Sequence, residues 1–143
     1  MVGRHAFVAD DSAGVHVIDV STASVPTGVG SSDTPGRSYG VPVSGGYAFV
    51  ADGESGLQVI DISDPENPTL AGNINTPGDA KDIFVAGDYA YVADSGAGLQ
   101  VIDVSDPANP TIAGGLDTPG SARSVFVAGD HVYVADSGAG LQV

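Results

Sequence analysis

The segment Phe7-Val8-Ala9-Asp10 returns as Phe49-Val50-Ala51-Asp52, then Tyr91-Val92-Ala93-Asp94, then Tyr133-Val134-Ala135-Asp136, always at a step of 42 residues. A second anchor keeps the same phase: Leu57-Gln58-Val59-Ile60-Asp61, Leu99-Gln100-Val101-Ile102-Asp103 and Leu141-Gln142-Val143. The first copy, Val15-His16-Val17-Ile18-Asp19, is degenerate but aligned. A fixed internal period of this length marks a repeat array, whose units bury their apolar faces only against one another. At this step the 143 residues hold about 3.4 units.

Each unit divides into four short apolar runs separated by turn residues. Strand one is Asp82 to Ala86, or Ser124 to Ala128. A Gly-Asp pair follows (Gly87-Asp88, Gly129-Asp130), a two-residue hairpin turn in which Gly supplies the positive φ. Strand two runs from Tyr89 to Asp94. Ser95-Gly96-Ala97-Gly98 reverses the chain into strand three, Leu99 to Val104. Ser105-Asp106-Pro107-Ala108-Asn109-Pro110 turns it again, with Asp able to fold an Asx turn and each Pro fixing φ. Strand four is Thr111 to Asp117. Thr118-Pro119-Gly120 then places Pro-Gly at the centre of a type II turn. No segment shows a 3.6-residue apolar period. The 21 glycines and nine prolines fit the same all-β chain of many turns.

Runs such as Val101-Ile102-Asp103-Val104 and Ile83-Phe84-Val85-Ala86 put apolar side chains on both faces of a strand. Such sheets need cover on both sides. Four-stranded sheets repeated radially supply it, and that arrangement is a β-propeller. A parallel β-helix has shorter repeats without four hairpin turns per unit, and a sandwich needs no strict period. The expected organisation is one array over residues 1–143. It comprises a partial blade at 1–36, full blades at 37–78 and 79–120, and a partial blade at 121–143.

The segments Gly56-Leu57-Gln58-Val59-Ile60-Asp61-Ile62-Ser63-Asp64-Pro65 and Gly98 to Pro107 resemble the signature of the LVIVD-repeat β-propellers. The resemblance spans essentially the whole chain. It implies one blade per repeat and a place at the cell surface or outside the cell, and it implies no reaction. Thr22-Ala23 stands where later copies carry Asp64-Pro65.

The chain begins at or just before strand two of a blade and ends within strand three of another, so His131 to Val143 duplicates the phase of His5 to Val17. An open array leaves apolar faces and unpaired edges in water. Three solutions answer this. Two chains join head to tail and share composite blades in a ring of about six to eight; one chain curls into a strained ring of about four; or the chain is a piece of a longer array. The expected arrangement is the head-to-tail homodimer, alongside truncation of a longer parent.

Eighteen acidic residues against four basic ones give a net charge of -14, and nucleic acid is excluded as a partner because phosphate-backbone sites need clustered Lys and Arg. Membrane insertion through an apolar span is excluded too, since no apolar run has the length to cross a bilayer. The absence of cysteine removes disulfides, thiolate metal sites and thiol catalysis.

Function in such arrays lies on loops. The loops after strands two and four share one face, and the copies differ most after Thr-Pro-Gly: Arg37-Ser38-Tyr39-Gly40, Asp79-Ala80-Lys81-Asp82, Ser121-Ala122-Arg123-Ser124. The candidate ligand-binding residues are therefore Arg37, Tyr39, Asp79, Lys81 and Arg123, a mixed-charge mouth for an anion, a sugar or a partner loop. The alternative is solvated charge on an acidic body. Asp52, Asp94 and Asp136 recur before glycine-containing turns. They read either as calcium ligands or as Asx caps of those turns. Asp61 and Asp103 are expected to satisfy buried backbone or neighbouring-blade donors.

His5, His16 and His131 exchange with Tyr or Gln between copies and form no metal motif. No serine sits in a nucleophile elbow, and Glu54 and Glu66 are unmatched between repeats. The sequence thus assigns no cofactor and no catalytic residue, and points to a non-enzymatic binding scaffold. A carbohydrate-binding or hydrolytic propeller and a structural module of an acidic extracellular assembly are the alternatives.

Overall fold

Among the described residues fourteen strands, none longer than eight residues, lie between turns marked mostly by glycine or proline. The computed structural model describes residues 2–143, and none of these is helical. The first sheet holds β1 (His5–Ala9), β2 (Val15–Asp19) and β3 (Thr27–Ser32). The second holds β4 (Val43–Ser44), β5 (Tyr47–Ala51), β6 (Leu57–Asp61) and β7 (Thr69–Ile74). The third holds β8 (Asp82–Ala86), β9 (Tyr89–Ala93), β10 (Leu99–Asp103) and β11 (Thr111–Leu116). The fourth holds β12 (Ser121–Ala128), β13 (His131–Ser137) and β14 (Gly140–Gln142). Neighbours in sequence are neighbours in each sheet, and every pairing is antiparallel. The strand limits expected between Asp82 and Asp117 differ from β8 to β11 by at most a residue, whereas β12 begins at Ser121, three residues before the expected Ser124.

The hairpin glycines behave as their position demands, with φ of 58° at Gly87 and 57° at Gly129. The Thr-Pro-Gly turns do not. Gly36, Gly78 and Gly120 are absent from the left-handed region, so these are not the type II turns their sequence suggests. Glycine is required there by crowding. A Cβ on Gly36 would lie 2.1 Å from the carbonyl oxygen of Asp52, and one on Gly78 2.1 Å from that of Asp94.

Successive sheets cover each other. Phe49, Leu57 and Val59 on one face of the second sheet pack with Ile83, Ala90, Val92 and Ile102 of the third. The opposite face of the second sheet, with Ala48, Val50 and Ile60, packs with Val15 of the first. Ala93 and Leu99 of the third sheet meet Val125 and Val134 of the fourth. The strand-one segments lie side by side, as the edge-on rings of Phe84 and Phe126 show, with centroids 5.2 Å apart and planes at 72°. Ser124 Oγ also donates to Asp82 Oδ2 at 2.7 Å across the same pair of strands. Four-stranded antiparallel units stacked in this way make a partial β-propeller.

One recurrent glycine reports the closeness of the stack. A Cβ on Gly30 would fall 2.3 Å from the Pro65 carbonyl oxygen, and one on Gly72 2.4 Å from that of Pro107, each in the next sheet's turn. The third member, Gly114, has nothing within 4 Å. Gly72→Ala is therefore expected to destabilise by about 1–3 kcal/mol through overpacking. Gly114→Ala is expected to be neutral or slightly stabilising. Denaturant midpoints of the two variants check this, and equal losses would contradict the packing described.

Candidate functional site

Each crossover between sheets ends in Thr-Pro-Gly, and a buried carboxylate of the next sheet receives it. Thr34 Oγ1 donates to Asp52 Oδ1 at 2.6 Å, Ser38 Oγ donates to the same oxygen at 3.1 Å, and Gly36 N donates to Oδ2 at 2.8 Å. Thr76 Oγ1 and Gly78 N hold Asp94 at 2.6 and 2.8 Å. The third latch is looser. Gly120 N reaches Asp136 Oδ2 at 3.0 Å, but Asp136 Oδ1 and Thr118 Oγ1 are both buried with no hydrogen-bond partner.

These three aspartates are thus not Asx caps of the turns that follow them. Those turns close through the backbone, as in Asp52 N to Gly56 O at 2.8 Å and Ser55 N to Asp52 O at 3.0 Å. Each carboxylate instead ties down a crossover 16 to 18 residues upstream. For calcium, no group of three or more potential His, Cys, Asp or Glu ligands occurs among the described residues. Asp61 and Asp103 also differ from expectation. Their Oδ1 atoms accept from Ser63 N at 2.8 Å and Ser105 N at 2.9 Å, two residues on, in exposed Asx turns.

Latched in this way, the segments after Thr-Pro-Gly stand beside the loops after strand two. Single bridges join Asp11 to Ser38, Gly53 to Ala80 and Ser95 to Ala122. Between them opens a cavity of about 410 Å³ lined by Gly36, Arg37, Tyr39, Gly53, Glu54, Asp79 and Lys81. Four of the five candidate residues meet there. Lys81 Nζ lies 2.8 Å from Asp79 Oδ2, 3.2 Å from Tyr39 Oη, and 4.3 Å from the centre of the Tyr39 ring. Arg37 is mostly exposed, with Nε 3.7 Å from Asp11 Oδ1.

Arg123 stands apart, lining a second hollow with Ala135, Asp136, Ser137, Gly140 and Leu141. Tyr39, Lys81 and Arg123 occupy the same slot of successive repeats, 42 residues apart, which is why Lys81 can lean on Tyr39. Glu54, which reads in the sequence as an unmatched turn residue, joins Tyr39 and Lys81 in the lining. Its place after strand two, on the face that also carries the Thr-Pro-Gly loops, is the signal that locates it.

The electrostatics separate the latches from the turn carboxylates. Burial pushes the Asp94 carboxyl above its ordinary value. The Thr76 and Gly78 donors pull it back only in part, and the Asp79 charge adds to the rise. Asp61 is held below its ordinary value by the Ser63 backbone N–H, and Asp103 by the Ser105 hydroxyl and N–H. For Lys81, burial works against the charged form, but the bonds to Asp79 and Tyr39 outweigh it and the net direction is upward.

A family model described as the LVIVD repeat matches residues 1–34, 35–76, 77–118 and 119–143. The chain belongs to the LVIVD-repeat family, as its sequence resemblance implied. No curated protein matches it significantly. Among solved structures, it is similar to a chain of an S. cerevisiae assembly of Dbp5 bound to Nup159, Gle1, IP6 and ADP, with a TM-score of 0.61 at 10% identity. The match takes in 94% of this chain and 36% of that one, so this chain spans about a third of its length. At that identity the likeness is one of fold.

Asp94→Ala orphans the Thr76 hydroxyl and the Gly78 N–H, and is expected to cost about 1–3 kcal/mol. Its pH dependence has a definite sign. A carboxyl raised in the folded state binds its proton more tightly there, so the stabilisation it confers declines as pH rises through the carboxylate range. The deficit of Asp94→Ala relative to the parent should widen on acidification. Asp61 and Asp103 are lowered, so their contribution is lost as pH falls, and the deficits of Asp61→Ala and Asp103→Ala should shrink. Urea melts across the acid range measure both trends, and parallel curves for the three variants would contradict the assignment.

Proposed function

We propose that the chain is a non-enzymatic binding scaffold that takes a polar ligand or a partner's loop at the mouth formed by Arg37, Tyr39, Asp79 and Lys81. The carrying observation is the cavity itself. It gathers residues of opposite charge and a half-exposed aromatic ring from the most variable segments of successive repeats, on strands that are otherwise nearly identical. A concave site with a few convergent polar groups is the ordinary form of a small-molecule or peptide pocket. Arg37 is the group best placed to pair with an incoming carboxylate or phosphate, because it is mostly exposed and its ion pair with Asp11 is a long one. Lys81 is already engaged by Asp79 and Tyr39, and serves to stiffen the Tyr39 ring as a platform.

Support for a non-catalytic site comes from the same partners. The one ammonium in the cavity is held by a carboxylate and a phenol rather than beside a nucleophilic hydroxyl, and His5, His16 and His131 are not among the lining residues. A sugar ligand is the second reading, favoured by the exposed Tyr39 ring sharing the cavity with the carboxylates of Glu54 and Asp79. The place at the cell surface or outside the cell belongs to the same proposal and rests on the family resemblance.

Screening against immobilised glycans and a displayed peptide library tests the proposal. The expected result is a binder that loses about tenfold or more in affinity on Arg37→Ala, the scale of one charge-assisted hydrogen bond, with an unchanged melting temperature. Affinity indifferent to Arg37→Ala and Tyr39→Ala would remove the site. Turnover of a glycan or ester that disappears with Lys81→Ala would overturn the non-enzymatic reading.

A further inference from the structure

Lys81 is the one lysine of the chain, and its side chain, 18% exposed, is drawn into the mouth instead of extending into water. An ammonium has three N–H donors and no acceptor. Two of those donors are answered by Asp79 Oδ2 at 2.8 Å and Tyr39 Oη at 3.2 Å. The centre of the Tyr39 ring lies 4.3 Å from the same nitrogen, within the range of a cation–π contact. A carboxylate, a phenol oxygen and an aromatic face around one nitrogen make a cage suited to a primary ammonium.

The repeats show that the cage is not a by-product of the fold. One repeat on, Arg123 takes the slot of Lys81, but Lys81 and Ser121 take those of Tyr39 and Asp79, so neither ring nor carboxylate occupies those slots. Gly53 is the floor on which the two walls rest. A Cβ there would lie 3.1 Å from Asp79 Oδ1 and 3.4 Å from Tyr39 Cε2. Its copies Asp11 and Ser95 hold the same left-handed backbone, with φ of 46° and 50° against 57° at Gly53, so the turn itself accepts a side chain. Glycine at 53 serves the walls, which a side chain would push apart.

We propose that the mouth recognises a primary alkylammonium group, and that Lys81 is its resident occupant, giving up the position to a ligand that brings the same group. The inference rests on the mouth being a binding site and names the class of ligand it takes. Two further observations agree. Glu54 adds a second carboxylate to the lining, so the mouth keeps acceptors for a cation when Lys81 swings out. The net charge of -14 draws cations toward the chain from a distance and repels polyanions. Arg37, mostly exposed, answers an acidic group on the same ligand. The contacts that steady the Tyr39 ring in the empty mouth are then the ones the ligand's ammonium takes over.

The probe is n-butylammonium, with n-butanol as its uncharged counterpart and sodium chloride at matched ionic strength. The single lysine gives one side-chain ammonium resonance in the heteronuclear NMR spectrum of the intact chain. That resonance is expected to move toward the position of a free lysine as the amine fills the mouth. Lys81→Ala vacates the cage and is expected to bind n-butylammonium about tenfold or more tightly than the parent does. Adding Asp79→Asn or Gly53→Ser to Lys81→Ala is expected to abolish that gain. Tighter binding of Nα-acetyl-lysine amide than of n-butylammonium identifies a partner's lysine as the source, and the reverse order a free amine; both uphold the cage. A Lys81 resonance unmoved by the amine, equal affinity of parent and Lys81→Ala, equal uptake of n-butanol, or a gain that survives Asp79→Asn would each overturn the proposal. If it falls while Arg37→Ala still weakens a bound glycan or peptide, the mouth stands and its ligand class alone is wrong. If Arg37→Ala is silent as well, the mouth itself falls.

Discussion

None of these sheets can bury its own faces. With three or four strands of two to eight residues, each has apolar side chains pointing both ways and no layer of helix to cover them. Small sheets gain stability by packing an apolar face against another layer. The whole structure therefore depends on one sheet lying against the next. Val50, Ile60, Val92 and Ile102 on one kind of face are buried completely only because a neighbouring sheet presents the other kind. The rest serves that contact. Glycine at 30 and 72 lets turns of the following sheet come within touching distance, and the buried aspartates hold each crossover in the place where the next sheet begins.

The latch connects this packing to the mouth. A carboxylate with no exposure, as at Asp52 and Asp94, is tolerable only when its oxygens are satisfied. The Thr hydroxyl and the Gly N–H do so while pinning the segment that carries Arg37 or Asp79 and Lys81. The variable residues therefore sit on a base that does not vary. Scaffold and proposed site separate by residue type: repeated Thr, Gly and Asp hold position, and the unrepeated Arg, Tyr and Lys carry the recognition that the proposed binding function requires. At the fourth sheet the latch is incomplete, with Thr118 and Asp136 each short of a partner, and Arg123 there lines a different hollow.

Most of the architecture was legible in the sequence because a strict period turns four noisy copies into one clear unit. The strands of the third sheet could be marked to within a residue by aligning Tyr89 to Asp94 and Leu99 to Val104 with their copies. Alignment also places Tyr39, Lys81 and Arg123 in one slot. What the pattern could not show is contact between repeats. Pro-Gly at 119–120 suggests a type II turn, yet the glycine is there to let a backbone carbonyl approach. Asp52 beside a turn suggests a local cap, yet its partners are 14 to 18 residues away. Asp61 inside an apolar strand suggests a buried acceptor, yet it caps its own exposed turn. At Gly120 and Asp52 a local pattern hides a partner in another segment, and at Asp61 a strand position hides a partner two residues on.

Coupling across a single sheet-to-sheet interface is the most direct test of the stacking on which everything else rests. Leu57 of the second sheet and Ile102 of the third belong to one apolar cluster, whereas Ile60, three residues from Leu57, faces the first sheet. A double-mutant cycle with alanine at 57 and 102 should return an interaction energy of about 0.5–3 kcal/mol, and the cycle at 57 and 60 should be additive within about 0.5 kcal/mol. Additivity at 57 and 102 together with strong coupling at 57 and 60 would mean that side chains along one strand share a core, and that the sheets do not cover one another.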